Sequence, residues 1–142
     1  MQLDKFTDYA LRILMTLAVR SPERIATSEI ATMFAVSENH LSKVATKLVR
    51  EDFAISERGR SGGLILARSA DSIIIGDVVR TMRRAEIVVE CLGPNKTCRV
   101  LPACGLRPAL VEAEEAFFAI LDGYTLADIT RSRQALAQLM SV

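Results

Sequence analysis

The stretch Ser37-Glu38-Asn39-His40-Leu41-Ser42-Lys43-Val44-Ala45-Thr46-Lys47-Leu48-Val49-Arg50 decides the fold of this chain. Leu41, Val44, Ala45, Leu48 and Val49 recur at the three-and-four spacing of a helix and make one apolar stripe. Glu38, Asn39, Ser42, Lys43, Thr46, Lys47 and Arg50 fill the opposite face, and Ser37 is placed to cap the first turn. Alone, this is an amphipathic helix with a solvated side. Its neighbours narrow the reading.

Upstream, Ala35-Val36 reads as a tight turn after a short helix that carries Glu29, Ile30 and Met33, with Thr27 or Ser28 as its N-cap. Before that, a longer helix is predicted from Asp4 to Arg20. Its buried stripe is Phe6, Ala10, Ile13, Leu14, Leu17 and Ala18, and Pro22 closes it. Lys5, Asp8 and Arg12 lie on another face, with Asp8 and Arg12 at pairing distance in sequence. Two short helices joined by a tight turn, the second polar outside, describe a helix-turn-helix.

Downstream, Phe53-Ala54-Ile55-Ser56 and Leu64-Ile65-Leu66 flank Glu57-Arg58-Gly59-Arg60-Ser61-Gly62-Gly63, the pattern of a β-hairpin. Its tip sets two arginines among glycines, which admit close backbone approach to another molecule. A helix-turn-helix followed by a basic hairpin is a winged helix. A helix over Ile74 to Arg84 follows. The segment Cys91 to Cys104, with Gly93, Pro94, Asn95 and Pro102, reads as a loop. Leu106, Leu110, Ala113, Phe117 and Ile120 then recur at steps of four and three, a seam suited to helix pairing in a dimer. Tyr124 to Asp128 begins a short turn or helix, and the tail is weakly helical. The expected fold is mainly α with a small β-hairpin. Residues 1–84 form the winged helix-turn-helix, 85–105 the cysteine loop, and 106–142 a dimerisation helix and tail.

The chain has 142 residues, half of them hydrophobic, enough for one packed core. No apolar run approaches the roughly 20 residues that cross a bilayer. The opening Met1-Gln2-Leu3-Asp4-Lys5 lacks the layout of a signal peptide, so a cytoplasmic protein without a membrane partner is expected. Net charge is +1, but 13 Lys/Arg stand against 10 Asp/Glu up to Arg84 and 5 against 7 beyond it. Nucleic-acid contacts therefore belong to the first part. A reading helix in the major groove needs short polar groups for base edges and cations for phosphates. Ser37, Asn39, His40 and Ser42 supply the first, with Thr27 and Ser28 beside them. Lys43 and Lys47 supply the second. Arg58 and Arg60, with Ser61, suit phosphates or a narrow minor groove. The absence of a cofactor loop and of a Ser/His or Cys/His pair argues against an enzyme.

Cys91, Cys98 and Cys104 form a C-x6-C-x5-C pattern. An odd number of cysteines argues against a disulfide framework. Three thiolates suit iron in a cluster, zinc, or thiol redox chemistry, and cysteines also serve as small buried apolar residues. Structural zinc favours four ligands with a tight C-x2–4-C pair, which is missing nearby. A [4Fe–4S] cluster on three cysteines leaves one iron for another ligand.

The opening Met1-Gln2-Leu3 with Phe6 to Arg12, the turn and helix Val36 to Leu41 and the wing Arg58 to Gly63 carry a resemblance. Ile75 to Arg80, Pro102-Ala103-Cys104 and Tyr124 to Asp128 extend it. From residue 1 to near residue 130, in order, the chain resembles the IscR/NsrR/RirA family of iron–sulfur winged-helix regulators. Within it, the chain is most similar to the branch that senses nitric oxide. The resemblance implies a homodimeric transcriptional repressor on a palindromic DNA operator. It implies an iron–sulfur cluster on Cys91, Cys98 and Cys104, [4Fe–4S] ahead of [2Fe–2S]. It also implies a fourth ligand, Asp8, donated by the partner subunit, and nitric oxide as the signal. Relatives that respond to iron or to cluster supply share the architecture and stand as the alternative.

Overall fold

Helix α1 (Lys5–Arg20) begins where Asp4 folds back on it, its carboxylate accepting from the Thr7 amide at 2.9 Å and the Thr7 hydroxyl at 3.0 Å. That cap satisfies one of the amides that a helix start leaves open. The computed structural model describes residues 3–84, 89–94 and 96–141. Ala10, Ile13, Leu14 and Leu17 are fully or almost fully buried along α1, the isoleucine and the two leucines each contributing about 1.5–3 kcal/mol. Phe6 and Ala18, expected in this stripe, lie only half-buried at its edges. Thr7 and Thr16 are buried with it instead. Thr16 satisfies its hydroxyl on the Arg12 carbonyl at 2.8 Å, which is why a polar residue is tolerated there.

α2 (Thr27–Met33) and α3 (Glu38–Arg50) form the helix-turn-helix. The N-cap of α2 is Ala26 rather than Thr27 or Ser28, and it makes no side-chain cap bond. Ser37 caps α3 by position, also without a side-chain bond. The helix ends show how these turns close. Ala35 takes φ 52° while Val36 N–H donates to the Ala31 carbonyl at 2.9 Å and Ala35 N–H to Thr32 at 3.2 Å. After α3, Asp52 takes φ 59° while Phe53 N–H reaches Leu48 at 2.9 Å and Asp52 N–H reaches Val49. Both are Schellman ends built without glycine. The left-handed conformation costs about 1–2 kcal/mol at a side-chain-bearing residue, and burial of the adjoining Ala31, Leu48 and Phe53 helps to offset it.

Strands β1 (Ala54–Glu57) and β2 (Gly63–Leu66) pair antiparallel in the register Ala54 with Leu66 to Glu57 with Gly63. Ile25 adds a bridge to the outer side of β2, exchanging both backbone bonds with Leu64 at 3.1 and 2.8 Å. Gly63 serves this contact, because a Cβ there would sit 2.8 Å from the Ile25 carbonyl oxygen. At Gly63 the close approach expected toward another molecule is made within the chain.

α4 (Ile75–Met82) stops two residues before the expected Arg84. Its Ile75, Val78, Val79 and Met82 complete the core against α1. The cysteine segment is not wholly irregular, since Glu90–Leu92 and Leu101–Ala103 are single 3₁₀ turns. α5 (Leu106–Asp122) then runs for 17 residues and buries only Phe118. The chain returns afterwards. Leu126 N–H donates to Ile73 O at 2.8 Å and Ile75 N–H to Tyr124 O at 2.9 Å. α6 (Leu126–Ile129) starts in a reciprocal Thr125/Asp128 capping box. α7 (Arg133–Leu139) lies along α1, where Arg133 Nε donates to the Val19 carbonyl at 2.8 Å and Met140 is buried.

Candidate nucleic-acid interface and cysteine loop

The buried face of α3 (Leu41, Val44, Ala45, Leu48) turns Asn39, His40, Ser42, Lys43 and Thr46 to solvent. Ser37 and Ser28 are exposed nearby, and Thr27 is half-buried. Lys47 is half-buried, its Nζ 5.8 Å from the centre of the Phe6 ring. The reading-helix residues expected from the sequence therefore share one surface.

Two flanks border that surface. On one, Thr27, Ser42, Thr46, Ser56 and Arg58 line an open groove between α3 and the wing. Its hydroxyls and guanidinium suit phosphate oxygens. Thr46 and Ser56 were absent from the sequence-based contact set. Thr46, one turn after Ser42, was legible from helical spacing, whereas Ser56 joins only through the hairpin's fold. Arg58, Arg60 and Ser61 are exposed at the tip, and neither arginine has an ion pair among the described residues. Arg24 pairs with Glu57 at 2.8 Å, at the end of β1 where the wing's turn begins.

On the other flank, Arg84 stacks over Phe6, its guanidinium carbon 3.8 Å from the ring centre. The Arg84 amide donates to Asp4 at 3.1 Å. Partial burial pushes the Asp4 carboxyl up, but hydrogen bonds from the Thr7 and Arg84 amides outweigh it and hold the group below its ordinary value.

Asp8 is half-exposed on α1 and pairs with Arg12 at 2.8 Å, as the helical spacing predicts. The Arg12 guanidinium also lies over Tyr9 and Phe34, 6.0 and 5.4 Å from their ring centres. Cys91 and Cys104 are half-buried, Cys98 is exposed, and all three are free thiols. Cys91 lies in the first 3₁₀ turn, and its carbonyl is 3.5 Å from Arg107 Nε on α5. Leu101 joins the other two: its N–H donates to Cys98 O at 3.2 Å, and its carbonyl accepts from Cys104 N–H at 3.4 Å. The Cys91 turn thus touches the first turn of α5, while Cys98 and Cys104 flank the short turn that leads into that helix. Among the described residues, no three His, Cys, Asp or Glu side chains are gathered tightly enough to form a metal group. The donor chemistry, three unpaired thiols, still fits a thiolate-bound iron centre.

α5 is held to α4 by a polar clamp. Arg80 makes two bonds of 2.7 Å to Asp122, and Arg83 pairs with Glu114 at 2.8 Å. Phe118 lies against both guanidiniums, at 4.5 and 5.2 Å. Gly76 makes room for this, since a Cβ there would sit 1.8 Å from Asp122 Oδ1. The seam residues Leu106 and Ile120 remain 63% and 65% exposed, Ala113 is exposed, and Leu110 and Phe117 are half-buried. No helix among the described residues is long and apolar enough to cross a membrane.

A helix-turn-helix with a basic hairpin wing, followed by a clamped helix and returning tail, defines a winged-helix regulator. The Rrf2 family, described as iron-dependent transcriptional regulators, matches residues 3–132. The HTH-type transcriptional regulator NsrR of Geobacillus kaustophilus is 42% identical over 142 residues, covering 99% of this chain and 97% of that protein. Two solved structures show the same fold. CymR (YrzC), the global cysteine regulator of B. subtilis, superposes with a TM-score of 0.73 at 22% identity, over 93% of this chain and 98% of that one. IscR of T. potens superposes with a TM-score of 0.74 at 21% identity, over 93% and 88%. The chain belongs to the Rrf2 family and is a transcriptional regulator rather than an enzyme.

Proposed function

We propose that this chain is a homodimeric repressor that binds a palindromic operator, with an iron–sulfur cluster controlling its affinity and nitric oxide as the signal. The observation that carries the sensor half is that all three cysteines are free thiols in one segment leading into α5, with the Cys91 turn held against Arg107 of its first turn. The likeness to NsrR over the whole chain favours the nitric oxide branch. Cys91, Cys98 and Cys104 hold the cluster through thiolates, and Asp8 of the partner subunit supplies a carboxylate oxygen. Bound there, a [4Fe–4S] cluster would supply iron able to react with nitric oxide. Ser37, Asn39, His40 and Ser42 reach base edges, Lys43 and Lys47 meet phosphates, and Arg58, Arg60 and Ser61 grip the backbone beside Thr27 and Ser28. The exposed seam Leu106, Leu110, Ala113, Phe117 and Ile120 pairs with its copy, setting the two reading helices about one DNA turn apart. Asp8 lies on α1, whose other face packs in the core with α3, so a change in its bonding reaches the reading helix.

The family description supports a second reading, in which loss of iron rather than nitric oxide releases the operator. Anaerobically purified protein is titrated with nitric oxide while absorbance and operator binding are followed together. Cluster absorbance and DNA affinity falling in step support the proposal. A cluster insensitive to nitric oxide but lost to chelator, with release of DNA, selects the iron-responsive reading. Colourless, iron-free protein rejects both.

A further inference from the structure

We infer that Lys5 and Arg84 form a second DNA-phosphate clamp, on the side of the reading helix opposite the wing. The inference rests on the DNA-binding reading above and adds Lys5 of α1 and Arg84, just past the end of α4, both outside the helix-turn-helix and wing. His40, Lys43, Val44 and Lys47 fall on one flank of α3, and Ser42, Ala45, Thr46 and Val49 fall on the other. At roughly 100° per residue the two sets lie close to half a turn apart. The second set borders the wing groove with Ser56 and Arg58. From the first, His40, Lys43 and Val44 border an open concavity of about 250 Å³ whose other walls are Lys5, Phe6, Tyr9 and Arg84.

A helix inserted in the major groove lies between two sugar–phosphate walls. The wing is placed for one wall, and the concavity faces where the other must run. Its charge is suited to that neighbour. Lys5 and Arg84 are exposed, and neither has an ion pair among the described residues. Among the described residues, the carboxylates beside Lys5 on the same helix start are already engaged: Asp4 with Thr7 and the Arg84 amide, Asp8 with Arg12. Phe6 positions the cations, with Arg84 3.8 Å and Lys47 5.8 Å from its ring centre. An arginine pre-ordered on an aromatic face loses less side-chain freedom when it meets a phosphate.

The test is a titration of operator and of scrambled duplex with the anaerobically purified full chain across a salt series. Lys5→Gln, Arg84→Gln, Arg84→Lys and Arg60→Gln are compared with wild type, and circular dichroism melts confirm folding. Each lost phosphate contact lowers the slope of log affinity against log salt by about 0.9. Lys5→Gln and Arg84→Gln are expected to lower it by that amount on both duplexes, and Arg84→Lys to restore it. An unchanged slope in either Gln variant, with Arg60→Gln lowered, overturns the second clamp and leaves the wing reading standing. Wild-type protein with no salt-dependent DNA binding overturns both.

Discussion

Helices α3 and α5 are both amphipathic, with 13 and 17 residues, yet the fold uses them in opposite ways. α3 sinks Leu41, Val44, Ala45 and Leu48 into the core and leaves only polar groups outside. α5 buries Phe118 alone and leaves Leu106 and Ile120 almost two-thirds exposed. Phe118 joins the core with Phe117 and Leu121 at its edge, and two ion pairs add to this: Arg80 to Asp122 and Arg83 to Glu114, with the phenyl ring of Phe118 against both guanidiniums. Apolar contact anchors the reading helix rigidly within its own chain. α5 leaves an apolar stripe exposed, and its ion pairs to α4 are open to solvent.

The comparison is broken most severely at the core of the reading helix. Leu48→Ala removes a fully buried side chain and is expected to lower unfolding free energy by about 2–5 kcal/mol in urea denaturation. A loss well under that range would mean that α3 is no better anchored than α5. The next largest effect is expected on assembly. Ile120→Glu sets an unpaired carboxylate in the seam, so sedimentation velocity is expected to show dimer dissociation raised about a hundredfold or more. The same variant should keep a cooperative melt, because Ile120 contributes little to the core of its own chain. An intact dimer would exclude the seam as the interface.

The smallest effect concerns the clamp. The hydrogen bonds from Arg80 hold the Asp122 carboxyl below its ordinary value. The stability this gives is present above the unfolded carboxylate value, near 4. It is lost as pH falls through the lower folded value. Asp122→Asn should therefore flatten the fall of the thermal midpoint between neutral pH and about pH 3. The change is expected to be modest, because both side chains are more than 40% exposed. An acid profile identical to wild type would remove Asp122 from the clamp.

Much of the winged helix was legible because its signals are local. Helical spacing placed α1 and α3, glycines with flanking apolar runs placed the hairpin, and i,i+4 spacing paired Asp8 with Arg12. Boundaries were less legible. Ala35 and Asp52 take left-handed turns that carry no glycine to announce them, and Ala26 caps α2 without a side-chain acceptor. The cysteine spacing identified a thiol-rich loop, but not the two 3₁₀ turns within it.

The sequence by itself determined which faces are apolar, which are cationic and where the thiols lie, because these follow from residue type and period along the chain. Tertiary structure alone decided which distant groups meet. Gly63 reaches Ile25, Gly76 admits Asp122, Arg84 stacks on Phe6 and the tail returns to α1. Those encounters depend on how the helices pack around the core in three dimensions. No periodicity along one dimension encodes such contacts between residues some 40 to 110 positions apart.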